Sequence, residues 1–186
     1  MKNIPYIIVA VLLSMAACKK SSTIAPSIVG TWVFSNITGS SITLQPSGFK
    51  DTTTFSYNPV TDSVILSENS NGFHLYTRNF ILYKYIWAFN SDGTYIISEK
   101  YSNQYGDNWI NNFTGKWEYL STNETNNAIM LNDSTSQLIY YLNNDNYIGQ
   151  YNFKVVNNTL VLTVNNSRSI DNSSSSFNLT ITFTKQ

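Results

Sequence analysis

Hydrophobic and polar residues alternate along most of the chain after residue 28. The clearest run is at the C-terminus, where single Asn and Thr residues separate four large apolar residues, Phe177, Leu179, Ile181 and Phe183. Because successive side chains of a β-strand point to opposite faces, this period of two predicts a strand with one buried and one wet face. Beyond the N-terminal apolar stretch no segment of three turns has the helical period. The pattern therefore predicts an all-β domain.

Short predicted strands recur at regular intervals, with turn residues between them. One strand places Tyr83, Tyr85, Trp87 and Phe89 on a single face, and the turn 90–93 follows it. A strand at 95–97 completes this hairpin, and the other predicted strands are 29–37, 41–46, 52–58, 63–67, 112–120, 127–133, 136–142, 151–155 and 160–164. The Ser- and Asn-rich stretch 165–176 is expected to form a flexible hairpin loop. Many short strands joined by turns are typical of a sandwich or a barrel.

The pattern Gly-x-Trp-x-aromatic occurs twice, at residues 30–34 and 115–119. Glycine permits a close backbone approach, and the Trp two residues later points to the same face of the strand. In a closed barrel such a Trp can plug the narrow end. We therefore predict that four residues close the barrel, namely Gly30, Trp32, Gly115 and Trp117. Because the pattern is short, the alternative is that the two copies are unrelated strand starts.

The first 17 residues have the features of a removable export signal. Lys2 precedes about 14 mostly apolar residues, fewer than the roughly 20 that span a bilayer as a helix. The small pair Ala16-Ala17 before Cys18 resembles the bacterial lipobox, which implies cleavage before Cys18 and attachment of diacylglycerol and palmitate to it. An ordinary secretory signal followed by a coincidental Cys is the alternative. The chain is then divided into a signal (1–17), a lipidated tether (18–27) and a domain (28–186), with a membrane as partner of the lipid.

Composition narrows the classes of function. The formal net charge is zero and charged residues make up only 12% of the chain, so there is no basic field to displace the counterions of a nucleic acid. Cys18 is the only Cys, which excludes an intramolecular disulfide and a Cys-based metal site. No metal or cofactor motif is present, and we predict neither. Aromatic residues reach 15%, enough for an aromatic-rich core.

Three segments, 28–32, 89–95 and 115–119, resemble the lipocalin-like domain of many Bacteroidetes-type lipoproteins in their order and spacing. The resemblance implies an antiparallel up-and-down β-barrel of about eight or more strands. It also implies a non-catalytic domain, held by lipid at the outer membrane, with the periplasmic or surface face left open. In lipocalins a late cation packs over the first-strand Trp, and here Arg168 or Lys185 is the candidate for that position.

Four aromatic residues are candidates for ligand contact, namely Trp87, Tyr101, Tyr105 and Trp109. The last three lie in the stretch 101–109, which we expect to form a loop rich in amide side chains. Such a loop can stack on a sugar ring or cover an apolar ligand. The expected ligand is a small hydrophobic, amphipathic or glycan molecule. The alternative is that Tyr105 and Trp109 only cover the barrel end.

Residues that could carry catalysis are sparse. His74 is the only histidine and is expected at the surface or rim. Glu99 and Glu118 are the carboxylates that could meet on neighbouring strands, as a glycosidase requires, but we expect both among solvent-facing residues. We therefore predict no catalytic residue and no enzyme. A structural or interaction subunit of an envelope assembly, with unknown protein partners, is the alternative to a ligand-binding module.

Overall fold

The computed structural model describes residues 27–122, 127–132, 136–142, 149–170 and 173–186. The predicted signal, Cys18 and the tether up to residue 26 lie outside the described residues. Ten strands and one short helix are described: β1 (Gly30–Leu44), β2 (Lys50–Asn58), β3 (Ser63–Ser70), β4 (Phe73–Phe89), β5 (Thr94–Asn103), β6 (Asn108–Thr122), β7 (Asn127–Asn132), α1 (Gln137–Leu142), β8 (Gln150–Val156), β9 (Thr159–Ile170) and β10 (Ser173–Lys185).

The strands form one closed antiparallel barrel. Each strand pairs with the next in the sequence, and β10 returns to pair with β1 over a long register that runs from Trp32 opposite Lys185 to Leu44 opposite Ser174. Neighbouring strands that are also consecutive in sequence define an up-and-down barrel. The predicted all-β, up-and-down barrel of eight or more strands is therefore confirmed.

The barrel is closed by different strands at its two ends. The start of β1 pairs directly with the end of β4, so that Gly30 lies opposite Phe89 and Val33 opposite Ile86. At this level, which we call the narrow end, β1 and β4 to β10 close a ring of eight described strands. Further along, the β2–β3 hairpin lies between β1 and β4, whereas β7 and β8 no longer contribute, because β6 pairs with β7 only from Lys116 onward and β9 pairs with β8 only up to Thr163. We call this level the wide end.

Side chains of the barrel fill its interior. The inward-facing residues of β4, β5, β9 and β10 are large and fully or almost fully buried, as in Trp87, Tyr95, Leu162 and Phe183. The helix α1 adds to this filling, because Leu138 and Ile139 are both 0% exposed and belong to the same core. Burial of apolar surface on this scale is the main stabilising contribution to such a domain.

The prediction of a strand at 136–142 is wrong. Residues 137–142 form α1, which begins after Ser136, whose side-chain oxygen accepts a hydrogen bond from the backbone N–H of Ile139 (3.3 Å). A hydroxyl in this position caps a helix N-terminus. A short apolar run such as Leu-Ile-Tyr-Tyr-Leu fits a buried strand and a buried helix equally well by periodicity.

Three loop and strand boundaries also differ from the prediction. The expected flexible loop at 165–176 is mostly ladder, because β9 extends to Ile170 and β10 begins at Ser173. The predicted strands 29–37 and 41–46 are one strand, β1. In the predicted loop 101–109 only residues 104–107 lie between β5 and β6.

The prediction that Tyr83 shares a face with Tyr85, Trp87 and Phe89 is wrong. Tyr83 points outward and is 57% exposed, since a shift of register between Leu82 and Lys84 reverses the alternation.

Candidate functional site

The two predicted Gly-x-Trp segments come together at the narrow end. Gly30 lies opposite Phe89, Phe89 opposite Tyr95, and Tyr95 opposite Gly115, so the two glycines lie in one row across four strands. Gly115 has no room for a side chain, because a Cβ there would lie 2.6 Å from the backbone oxygen of Asn132 and 2.7 Å from the Tyr95 ring. The glycine thus lets the Tyr95 ring lie directly against the backbone.

Both Trp side chains are buried at this end and donate hydrogen bonds to backbone carbonyls. The Trp32 indole N–H donates to Ile28 (2.7 Å), and the Trp117 indole N–H donates to Asn90 (3.2 Å). The ammonium group of Lys185 lies 5.5 Å from the centroid of the Trp32 ring, a cation–π distance. Lys185 therefore occupies the position that the sequence assigned to a late cation, either Arg168 or Lys185.

Trp87, one of the four candidates for ligand contact, lies deep in the aromatic interior. Its ring contacts those of Tyr85, Phe89, Tyr151 and Phe183, with centroid distances of 5.5–6.3 Å. It is 0% exposed. A ligand that touched Trp87 would have to displace this packing, so the structure separates Trp87 from the other three candidates.

The expectation that Glu99 and Glu118 face solvent is wrong for Glu99. Glu99 points into the barrel from β5 and is 1% exposed, whereas Glu118 is exposed on β6. The residue opposite Glu99 on β6 is Asn111, seven positions before Glu118. Glu99 and Glu118 thus lie on different faces of the sheet and do not form the carboxylate pair of a glycosidase.

A hydrogen-bond network connects Glu99 to α1. The carboxylate accepts hydrogen bonds from the hydroxyl of Ser136 (2.7 Å), the backbone N–H of Gln137 (2.8 Å) and the amide of Asn111 (3.2 Å). The hydroxyl of Tyr85 in turn donates to Ser136 (2.7 Å). These bonds provide acceptors for N–H groups at the N-terminus of α1, which have no partner within the helix. They also attach the helix to the inner face of β4 and β5.

Burial shifts the protonation equilibria in this network. Desolvation raises the pKa of Glu99, and the hydrogen bonds from Ser136 and Asn111 oppose that rise. Desolvation and the nearby Glu99 carboxylate raise the pKa of Tyr85 well above its ordinary value. Among residues whose burial the structure describes, Glu99 is the only buried acidic side chain. Its hydrogen bonds with Ser136 and Gln137 hold α1 inside the barrel.

The other three candidates meet at a pocket at the wide end, where β4, β5 and the loop 104–107 form one side of the barrel mouth. Its volume is about 210 Å³, and its lining residues are Arg78, Phe80, Asn103, Gln104, Tyr105 and Trp109. Tyr101 is fully buried behind it and stacks on Trp109, with ring centroids 5.1 Å apart and an interplanar angle of 21°. Tyr105 is 77% exposed at the edge of the pocket. We call these six lining residues the mouth pocket.

The loop that carries Tyr105 is held by its own side chains. The side-chain oxygen of Asn103 accepts hydrogen bonds from the backbone N–H groups of Tyr105 (2.9 Å) and Asp107 (3.0 Å), and its amide donates to the Asp107 carboxylate (2.9 Å). The side-chain oxygen of Gln104 accepts from the backbone N–H of Asn79 on β4 (3.1 Å). Asn103 and Gln104 therefore fix the shape of the pocket wall.

Arg78 was missed by sequence reasoning, and Gln104 was included only as one of the amide side chains of the stretch 101–109. They are distant in the chain and become neighbours only through the pairing of β4 with β5, in which Phe80 lies opposite Asn103. One signal in the sequence could have found Arg78: it lies two residues before Phe80, and residues two apart in a strand share a face.

A second pocket lies between β8 and the end of β9 and has a different character. Its volume is about 270 Å³ and its lining is mainly polar: Gly149, Gln150, Asn152, Thr163, Val164, Asn165 and Asn166. It contains no aromatic ring and no charged side chain. A binding site for an amphipathic ligand needs an apolar surface as well as polar groups, so the mouth pocket is the stronger candidate.

His74 lies on the exposed part of β4, as predicted. Its two ring nitrogens contact hydroxyl groups, Nδ1 with Ser67 (3.4 Å) and Nε2 with Thr77 (3.3 Å). In a Ser-His-Asp arrangement a carboxylate orients the ring through one of these nitrogens. The contacts of His74 do not provide that arrangement.

Within the described ranges no three or more His, Cys, Asp and Glu side chains are placed to hold a metal ion. The only helix of those ranges, α1, has six residues and is not long enough to cross a membrane. Known proteins add no assignment to these observations. No protein-family model, no curated protein and no solved structure matches this chain.

Proposed function

We propose that the barrel is a non-catalytic binding module for a small amphipathic ligand, and that the mouth pocket is its binding site. The observation that carries this proposal is the combination of a stacked aromatic wall, Trp109 on Tyr101, with polar groups in one concave site. Ligand sites are mostly apolar hollows with a few placed polar groups. The closed packing of the narrow end and core directs a ligand to the wide end.

The size of the pocket limits the ligand. Pockets for drug-sized ligands have volumes of about 300–1,000 Å³. The mouth pocket, at about 210 Å³, suits a single ring or a short chain. A long lipid that fills the barrel, as in the larger-ligand members of such folds, would compete with α1 and the aromatic core for the same space.

Binding can be tested by removing the exposed aromatic ring of the pocket. We expect Tyr105→Ala to weaken binding of small glycans or short amphiphiles, screened by isothermal titration calorimetry, by about tenfold, because a stacking ring contributes on the order of 1–1.5 kcal/mol. Tyr83→Ala is the matched control, since Tyr83 is also an exposed tyrosine but lies on the outer face of β4. If both variants bind equally well, the ligand is not in the mouth pocket.

We also propose that the mature protein is a lipoprotein, anchored through Cys18 at the outer membrane. The supporting features are the apolar N-terminal stretch, the pair Ala16-Ala17 and the single Cys of the chain directly after it. Several acyl chains, each buried CH₂ contributing about 0.8 kcal/mol, would anchor the domain stably. Metabolic labelling with an alkyne palmitate should label the wild type and not Cys18→Ser. An unlabelled wild type would refute the anchor.

The second candidate is a structural or interaction subunit of an envelope assembly with no small ligand. The observation that favours it is the filled interior, in which Leu138 and Ile139 occupy the space that a ligand would take in an open barrel. Crosslinking in intact cells should then recover a defined partner protein. Recovery of no partner, together with binding that depends on Tyr105, would leave the first candidate.

A further inference from the structure

Some hydrogen-bonding groups of the mouth pocket already have partners within the protein, and others are available to a ligand. Asn103 uses its oxygen and its amide within the loop, and the side-chain oxygen of Gln104 is occupied by Asn79. The charged group and the amide group that remain for a ligand, the guanidinium of Arg78 and the NH₂ of Gln104, are both donors, while the Tyr105 hydroxyl at the exposed edge can donate or accept. Such a pocket favours a ligand that supplies acceptors.

Arg78 is held in a way that leaves its donors available. Its guanidinium carbon lies 4.7 Å from the centroid of the Tyr76 ring, a cation–π distance, and this contact uses none of the guanidinium N–H groups in a hydrogen bond to an oxygen. No described acidic side chain forms an ion pair with Arg78. The Glu68 carboxylate, which shares Tyr76 with Arg78, accepts a hydrogen bond from the Tyr76 hydroxyl, and the Asp107 carboxylate of the loop accepts one from Asn103.

We infer that the mouth pocket binds a carboxylate-bearing ligand, with the anion against Arg78 and Gln104 and an adjoining ring or short chain on Trp109. This inference rests on the proposed function and specifies its ligand class. Arginine binds carboxylates through two parallel N–H groups, and such charge-assisted hydrogen bonds are about twice as strong as neutral ones. A sugar acid and a short fatty acid both combine a carboxylate with a body small enough for about 210 Å³.

The inference is tested with two pairs of probes that differ in charge and little in shape: glucuronate against glucose, and hexanoate against hexanol. Isothermal titration calorimetry at pH 7 uses the mature lipoprotein in nanodiscs, with empty nanodiscs as reference. We expect at least one acid to bind about tenfold or more tightly than its neutral partner. A preference for glucuronate indicates a sugar acid as the natural source, and a preference for hexanoate indicates a fatty acid.

Two variants locate the charge effect. Arg78→Gln should reduce the affinity for the acid to that of its neutral partner. Lys100→Gln is the matched control, because Lys100 lies 5.5 Å from the Tyr83 ring on the outer face of the barrel, as Arg78 lies against Tyr76 on the inner face. Lys100→Gln should leave the preference unchanged. Equal effects of the two variants would overturn the inference, because they would show a general charge effect.

Failure of this inference can be separated from failure of the proposed function. If acids and neutral partners bind equally well and Tyr105→Ala weakens both, the pocket binds ligands without a carboxylate preference, and only the inference is overturned. If the four probes bind the wild type and Tyr105→Ala with the same affinity, or do not bind at all, the mouth pocket is not their site. That result overturns the inference and counts against the proposed function as well.

Discussion

The two ends of the barrel are built on different principles. At the narrow end, eight strands close around glycines and tryptophans, and both Trp32 and Trp117 satisfy their indole N–H groups with backbone carbonyls. Toward the wide end, the β2–β3 hairpin joins the ring around the mouth pocket, and the buried carboxylate of Glu99 holds α1 inside the barrel. The narrow end uses apolar packing to seal the barrel. The wide end retains charged and polar groups, which cost stability unless they are paired or used for binding.

Removing one tryptophan from each end should give the largest contrast. Trp32→Ala is expected to lower the free energy of unfolding by about 3–5 kcal/mol, because it removes a fully buried ring. Trp109→Ala removes a partly buried ring at the mouth and should cost about half as much or less. Urea denaturation followed by far-ultraviolet circular dichroism measures both. Equal losses would show that the wide end is packed as tightly as the narrow end.

The next contrast is between a buried and an exposed glutamate. Glu99→Ala leaves the donors of Ser136, Gln137 and Asn111 without their acceptor, and each unsatisfied buried donor costs about 1–3 kcal/mol. Because the N–H of Gln137 and the amide of Asn111 are only partly buried, water can satisfy them, and removing the carboxylate also removes its own desolvation cost, so we expect a total loss of about 2–3 kcal/mol in the free energy of unfolding. The control Glu118→Ala should change it by less than about 0.5 kcal/mol, as is usual for a surface site. A similar small change for Glu99→Ala would mean that α1 is not held by this carboxylate.

Because the pKa of Glu99 is shifted, the contrast between the buried and the exposed glutamate should also appear in how the free energy of unfolding depends on pH. Because burial raises the pKa of Glu99 in the folded protein, the native state binds this proton more tightly than the unfolded chain. The resulting stabilisation is complete below the unfolded value of about 4.3 and is lost as pH rises through the higher folded-state pKa. The wild type should therefore lose stability relative to Glu99→Gln as pH rises through this window.

Chemical denaturation at a series of pH values measures that difference. Glu118→Gln is the control, since it keeps Glu99 and should keep the wild-type decline. A difference between wild type and Glu99→Gln that stays constant, or that grows in favour of the wild type with rising pH, contradicts the assigned direction of the pKa shift.

The smallest expected effect concerns the cation over Trp32. Lys185→Met removes the positive charge above the indole and keeps most of the aliphatic side chain, so it should cost about 0.5–1 kcal/mol. Lys84→Met on the exposed face of β4 is the matched control and should be nearly neutral. Equal stabilities of the two variants would show that Lys185 does not contribute to closing the narrow end.

The sequence was most informative where one local rule decides the structure. The alternation of Phe177 to Phe183 and the spacing Gly-x-Trp are local signals, and the strands that contain them follow from these signals, whereas the row that joins Gly30 to Gly115 is set by the registers between strands. Glu99 was misassigned although a signal was present: Tyr95, Ile97, Glu99 and Tyr101 share one parity, and their apolar members all face the core. Reading that parity would have placed the carboxylate inside.

Other features could not be read from single segments. The position of Tyr83 depends on a shift of register near Leu82, and alternation contains no information about such a shift. The helix α1 depends on the burial of Leu138 and Ile139 in the barrel core, which the periodicity of so short an apolar run does not specify. The mouth pocket joins Arg78 to Gln104 through the β4–β5 register. These three features are decided by tertiary pairing rather than by local composition.

The inserted β2–β3 hairpin has a consequence for how this barrel can vary. Since the start of β1 is joined directly to the end of β4, the closing ring of eight strands is complete without the hairpin at that level. Lengthening, shortening or reshaping β2 and β3 would then alter the circumference of the mouth while the seal beneath it is kept. The wide end can thus change the ligand that it binds, while the narrow end preserves the barrel architecture.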